Sequence, residues 1–198
     1  MIIMALAGVY KEFNERWCKQ TVWIYSDPHF GDEELAAGTP GRPSADEQVA
    51  MINSCVGRKD TLIILGDVGD VEYAKKLRGY KVLICGNHDA GRTNYEEAFD
   101  EIYEGALIIG EKILLSHEPV DIPWLFNIHG HDHAGAIRPG HLNVCSDVRG
   151  YKPLNLNHIL GKEGHLAKIQ SIHRVTIDKA TERKKKRGGK KLGMGGSR

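Results

Sequence analysis

Three five-residue apolar runs each stop at a serine or glycine and give way at once to metal-ligating side chains. Residues 21–25 (TVWIY) lead into Ser26-Asp27-Pro28-His29, and residues 61–65 (TLIIL) into Gly66-Asp67-Val68-Gly69-Asp70. Residues 81–85 (KVLIC) lead into Gly86-Asn87-His88-Asp89. Runs this short, rich in β-branched residues and bounded by glycine, read as strands. Two later segments, Ser116-His117 and Gly130-His131-Asp132-His133, close further apolar runs in the same manner. In open α/β sheets ligands gather at the carboxyl ends of the strands, so five such endings are expected to meet in one crevice. Where the exit is a glycine, at 66, 86 and 130, it permits a sharp turn and close backbone approach.

The segments between these runs predict their connections. Ser44-Ala45-Asp46-Glu47 is a capping box, followed by Val49, Ile52 and Val56 at helical spacing up to Gly57. Residues 71–77 read as a short helix. Strands spaced by helices imply right-handed βαβ units and a sheet covered on both faces. In the second half, residues 106–109, 112–116, 125–129 and 141–146 read as short strands joined by tight turns, which predicts antiparallel pairing. A helix is expected at 154–160 and one more strand around 168–177.

The chain has 198 residues, enough for one domain with a full core. Its net charge of +1 conceals an asymmetry. Residues 174–198 hold ten Lys/Arg and two Asp/Glu, or +8, which leaves −7 on the first 173. The expected organisation is a mildly acidic domain over 1–178 and a basic, glycine-rich, disordered tail over 179–198. Cys18, Cys55, Cys85 and Cys145 form no CxxC pair and read as reduced thiols. No apolar run approaches the ~20 residues of a membrane span. The leading MIIMALAGVY lacks a basic n-region. A cytoplasmic protein with no membrane partner is the expectation.

The donor types narrow the chemistry. Asp27 and His29 are two apart, as are His131 and His133, so each pair would point one way along an extended strand end. Mixed carboxylate, imidazole and amide donors suit manganese, iron or zinc better than a thiolate-selective ion. Two divalent ions carry four positive charges. Asp27 and Asp67 offset two and a bound hydroxide a third, while Asn87 adds a donor without charge. The residual positive charge favours a phosphoryl anion.

In this order the blocks DPH, GDVGD, GNHD, SH and GHDH resemble the calcineurin-like metallophosphoesterase superfamily, and the likeness extends over roughly residues 20–165. The resemblance implies an α/β fold, a two-sheet β-sandwich flanked by helices. It implies one ion held by Asp27, His29, Asp67 and His133. A second would be held by Asp67, Asn87, His117 and His131, with Asp67 bridging. The ions would be manganese first, with iron, zinc, nickel and magnesium admissible. His88 would donate a proton to the leaving oxygen, paired with Asp70. The implied activity is hydrolysis of a small phosphodiester or phosphomonoester, nucleotide-derived esters among them. Val71 stands where protein Ser/Thr phosphatases carry a phosphate-gripping arginine, and their longer C-terminal half is lacking, which disfavours a protein substrate.

Plainer readings stand beside these. Asp27, Asp67 and Asn87 are also common turn residues. His129 shares parity with His131 and His133 but is expected to pack behind them. Asp89 reads as a helix or turn cap, and Asp132 is expected to face solvent or make a local hydrogen bond. His141 and His158 have no assigned role, and His165 and His173 are expected at the surface. Arg42, Arg92, Arg138 and Arg149 fall in loops with reach to a substrate phosphate. A nuclease acting on DNA or RNA ends would use the basic tail, which has no aromatic residue to stack a base. A non-catalytic metal-binding scaffold is the third reading.

Overall fold

The computed structural model describes residues 12–13, 15–17, 20–89, 93–110, 112–162 and 181–183. All three runs that open the sequence argument are neighbouring strands of one sheet. β1 (Val22–Tyr25), β2 (Thr61–Ile64) and β3 (Tyr80–Ile84) pair in parallel, with Val22 opposite Thr61 and Thr61 opposite Tyr80. β4 (Glu101–Tyr103) extends one edge in parallel, and the short β9 (Leu154–Asn155) closes the other antiparallel to β1. The order is β4-β3-β2-β1-β9.

Parallel neighbours require crossovers. Here they contain helices α1 (Glu33–Gly38), α2 (Ala45–Cys55) and α3 (Val71–Lys75), and the 3₁₀ helix Thr93–Glu97. The predicted capping box opens α2: the Ser44 N–H donates to the Glu47 carboxylate at 2.9 Å, and the Glu47 N–H donates back to Ser44 Oγ at 3.4 Å.

Side chains along the three central strands separate by parity, as the two-residue strand period demands. Val22, Ile24, Ile63, Leu65, Val82 and Ile84 enter one buried cluster. Tyr25, Leu62, Ile64 and Leu83 enter another with Val49, Ile52, Val56, Val71 and Ala74. The sheet is thus covered on both faces, as its apolar runs predict.

A second sheet covers one of those faces. It comprises β5 (Leu107–Ile109), β6 (Ile113–Leu115), β7 (Phe126–His129) and β8 (His141–Asn143), in that order. Ile113, Leu115, Phe126, Ile128 and Val144 share the first cluster with the central strands. Leu156, Ile159 and Leu160, from helix α4 (Leu156–Lys162), join them. Phe13 and Trp17, four apart in a charge-rich stretch, also reach this core, and Trp17 donates to Glu101 at 3.2 Å.

The expectation of antiparallel pairing holds only for β5 and β6; β6–β7 and β7–β8 are parallel. A tight hairpin needs a loop of two to five residues, whereas residues 116–125 and 130–140 are long enough to return the chain to its starting edge. The consequence is directional: β6 and β7 now discharge His117 and His131 at the same end. Ser26, just past β1, forms a parallel bridge with Cys145, just past β8, and ties the sheets together there.

The strand expected around 168–177 lies outside the described residues. Within 179–198 only residues 181–183 are described; they are helical and exposed, and the rest of the expected tail lies outside the described residues. No helix among the described residues is long and apolar enough to cross a membrane.

Ile63 is fully buried in the shared core, while Ile108 on β5 is 55% exposed. Ile63→Ala is expected to cost about 2–5 kcal/mol in urea unfolding, and Ile108→Ala no more than about 0.5 kcal/mol.

Candidate metal centre

Four of the predicted ligands occupy backbone that side chains seldom adopt: Asp27 (φ 56), His29 (φ 44), Asp67 (φ 53) and His131 (φ 64). The left-handed region costs a non-glycine residue on the order of 1–3 kcal/mol. This corrects the premise that extended strand ends aim Asp27 with His29 and His131 with His133. The donors converge because the chain turns sharply at the end of each strand. Backbone bonds hold the turns side by side: Asp27 N–H donates to Gly66 O at 3.1 Å, His29 N–H to Asp67 O at 3.0 Å and Phe30 N–H to Val68 O at 2.9 Å. Two glycines are required by proximity. A Cβ at Gly130 would overlap Ser26 Oγ and the Asp27 carboxylate, and one at Gly86 would overlap the Asp67 carboxylate.

The seven side chains gather into two adjoining groups. Ligand atoms of Asp27, His29 and His133 lie within 4.8 Å of one another, and so do those of Asp67, His117 and His131. Asp67 joins the groups: its Oδ2 lies 3.5 Å from His29 Nε2 and 3.4 Å from His117 Nε2. Asn87 Oδ1 and His131 Nδ1 approach the same His117 nitrogen at 2.9 and 3.0 Å. Asp27, Asp67 and His117 are buried.

The chemistry of this set fits divalent cations. His29 Nε2 is buried with no hydrogen-bond partner, an arrangement that is unfavourable unless another group meets it. His117 Nδ1 lies 2.8 Å from Leu65 O, and His133 Nδ1 lies 2.5 Å from Asp147 Oδ2. Each ring therefore sets one nitrogen on an acceptor and directs the other inward, the arrangement of a metal-ligating histidine. No thiolate is among the seven.

Proton affinities in the cluster are shifted in both directions. Burial alone would raise Asp67, yet hydrogen bonds from His117 and the His88 N–H, with the His117 and His29 charges, hold it down at about 2. Burial would lower His117, but the Asp67 hydrogen bond, Asp27 and Leu65 O carry it up to about 9. For His29 burial wins, and its pKa is lowered despite Asp67 and Asp27. Without a cation the cluster satisfies its carboxylates with a proton on His117.

Supporting residues are less visible in the sequence. Asp89 is buried and does more than cap a turn. Its Oδ2 accepts from the N–H groups of Asp67 (2.7 Å) and Gly86 (2.8 Å), and its Oδ1 from Val68 N–H (3.0 Å) and Tyr95 O–H (3.0 Å). One carboxylate thus locks the exits of β2 and β3 together. Arg42 does not face a substrate: its side chain is 2% exposed, pairs with Asp147, and donates to Asp27 O and Pro28 O. Arg149 donates to Asn143 O at 2.6 Å, Arg138 is exposed, and Arg92 lies outside the described residues. Asp147 and Tyr151 have no local motif to announce them.

His129 packs, as expected, with Nδ1 at 2.8 Å from Gly130 O and its ring against His141. Asp132 accepts from the Ala134 and Ala136 N–H groups, also as expected. His141 contacts Asp121, and His158 is exposed. A third group, His133, Cys145 and Asp147, shares His133 with the first, but burial pushes the Cys145 thiol pKa well up.

His88 and Asp70 line one pocket of about 370 Å³ with His29, Phe30, Gly31, Asp32, Gly69 and Val71. The His88 ring is exposed and sits edge-on to His29 at 5.6 Å. Asp70 Oδ1 accepts from Glu72 N–H at 2.9 Å and caps α3; among the described residues no hydrogen bond joins it to His88.

No family model and no curated protein sequence matches the chain. Among solved structures it is similar to a protein of unknown function, AQ665 from Aquifex aeolicus. The TM-score is 0.60 at 27% identity, over 70% of this chain and 97% of that one. It is also similar to the Pseudomonas putida nuclease MPE, at a TM-score of 0.43 and 23% identity, over 57% of this chain and 61% of that one. The mixed α/β fold with two sheets is therefore shared with a solved structure whose function is itself unknown.

Asp89→Ala would strand three N–H groups, two of them buried, and is expected to cost about 3 kcal/mol or more in denaturant unfolding. For the metal-free protein, the raised His117 contributes stability that is full below its unfolded value near 6.5 and lost as pH rises through about 9. The depressed Asp67 contributes stability present above its unfolded value near 3.8 and lost as pH falls through about 2. Thermal midpoints measured in chelator should fall as pH rises from about 6.5 through 9 and again as it drops from about 3.8 through 2; the lowered pKa of His29 works the other way below 6.5, so the maximum is expected near pH 6.5.

Proposed function

We propose that this chain is a dinuclear metallophosphoesterase of the calcineurin-like superfamily, its two sheets being that superfamily's sandwich, and that it hydrolyses a small phosphodiester or phosphomonoester. The observation that carries the reading is Asp67, whose Oδ2 lies 3.4–3.5 Å from one imidazole of each trio. Asp27, His29, Asp67 and His133 would hold one ion, and Asp67, Asn87, His117 and His131 the other. When bound, such ions supply the acidity that makes water nucleophilic near neutral pH and the positive charge that receives phosphoryl oxygens. The chain's own contributions are separate. The paired turns preset the donors, so little reorganisation accompanies reaction. His88 faces the pocket beside His29 and is placed to give a proton to a departing oxygen. Asp70 lines the same pocket and would be the partner of that histidine.

Hydrolysis of bis-p-nitrophenyl phosphate and p-nitrophenyl phosphate in the presence of manganese is the direct test. Activity should disappear on chelation and return with the metal. His88→Ala should lower kcat by about 10²–10⁴-fold while two manganese ions per chain stay bound. Metal binding without turnover of either ester, by manganese, iron, zinc, nickel or magnesium, would instead favour a scaffold.

A further inference from the structure

We infer that Asp147, clamped by Arg42, is a positioning residue for one ion alone, the one assigned to Asp27, His29 and His133. The inference rests on the dinuclear reading above. Asp147 and Arg42 lie outside all five sequence blocks and are 105 positions apart. Asp147 accepts from both Arg42 and Tyr151: Arg42 Nη1 reaches its two oxygens at 2.8 and 2.6 Å, and the Tyr151 hydroxyl reaches Oδ1 at 2.5 Å. The guanidinium also lies over the Tyr151 ring, 5.5 Å from its centroid. Side-chain exposures of 2% for Arg42 and 11% for Asp147 leave the pair largely without water.

A buried ion pair is weak evidence for stability, because desolvation offsets much of the attraction. What it touches is more informative. Asp147 Oδ2 meets His133 Nδ1 at 2.5 Å, which holds the proton on Nδ1 and leaves Nε2 directed toward Asp27 Oδ1 at 3.7 Å. Arg42 Nη2 meanwhile donates to Asp27 O at 3.2 Å and Pro28 O at 2.8 Å. Those carbonyls belong to the peptides between Asp27 and His29, both of which sit in left-handed backbone. One guanidinium therefore restrains all three members of the first trio: His133 through Asp147, and Asp27 and His29 through their backbone.

The second trio is backed differently. His117 Nδ1 meets the neutral Leu65 carbonyl, and the His131 N–H donates to the Asp27 carboxylate at 2.9 and 3.1 Å. A carboxylate behind an imidazole strengthens it as a donor and fixes its orientation, and loss of such a partner typically weakens metal binding about 10–100-fold. Removing the Asp147 charge should act on the first ion and spare the second.

The test is manganese titration of the chelator-stripped full chain, followed by calorimetry and by the electron paramagnetic resonance of bound manganese. In the wild-type protein two ions should bind and couple magnetically. Asp147→Asn should weaken one of them about 10–100-fold, leaving a mononuclear spectrum at intermediate loading. Single-ion backgrounds identify which ion is affected: Asp147→Asn should weaken the ion that survives Asn87→Ala and leave the ion that survives His29→Ala much less changed, because Asp147 touches no side chain assigned to that second ion. Tyr151→Phe, which removes one hydroxyl and keeps the ring, should shift the same ion in the same direction by less. It carries the test if Asp147→Asn does not fold. Equal weakening of both ions, or of neither, would overturn the inference while the dinuclear reading stands. A wild-type protein that binds no manganese would overturn the dinuclear reading itself.

Discussion

Burying the ionised carboxylates of Asp27 and Asp67 is the constraint around which this end of the molecule is organised. An unpaired charge removed from water is unfavourable by several kcal/mol or more, so each oxygen must be met. Asp27 takes the His131 N–H on both oxygens, and Asp67 takes the His88 N–H and the His117 ring. These partners stop short of neutrality. The result is visible in His117, which holds a proton well above the ordinary imidazole range. A site built this way attracts cations before any ligand geometry is considered.

Holding those groups in place requires backbone that would not persist in isolation. Left-handed turns at Asp27, His29, Asp67 and His131 are maintained because the strands before them are anchored in two buried clusters. The parallel sense of β6, β7 and β8 matters equally. Had those strands paired as hairpins, His117 and His131 would have emerged at opposite ends of the small sheet. The Ser26–Cys145 bridge then sets the distance between the sheets at the point where their donors meet.

A second layer of polar groups gives the site its stiffness. Asp89 binds the N–H groups of Asp67, Val68 and Gly86, and so aligns two strand exits that are some twenty residues apart in sequence. Asp147 and Arg42 do the same for the turn after β1 and for His133. Both carboxylates are themselves saturated with donors. They hold the candidate ligands through geometry and charge.

The sequence by itself determined a good deal here. Five-residue apolar runs ending in serine or glycine specify doubly covered strands, because such runs can only be buried on both faces. The capping box specifies the start of α2. The polar blocks specify which seven side chains gather, since ligand identity is a local property of strand ends. Three things were left to tertiary structure. Pairing sense in the second sheet depends on where loops 116–125 and 130–140 return, which their composition does not encode. The direction of the ligands depends on left-handed φ values that non-glycine residues adopt only when neighbouring backbone enforces them. The partners Asp89, Asp147 and Arg42 owe their roles to contacts between remote segments: an aspartate in a loop is a turn residue in sequence, and becomes a metal-site support only when folding sets a histidine or a row of N–H groups against it.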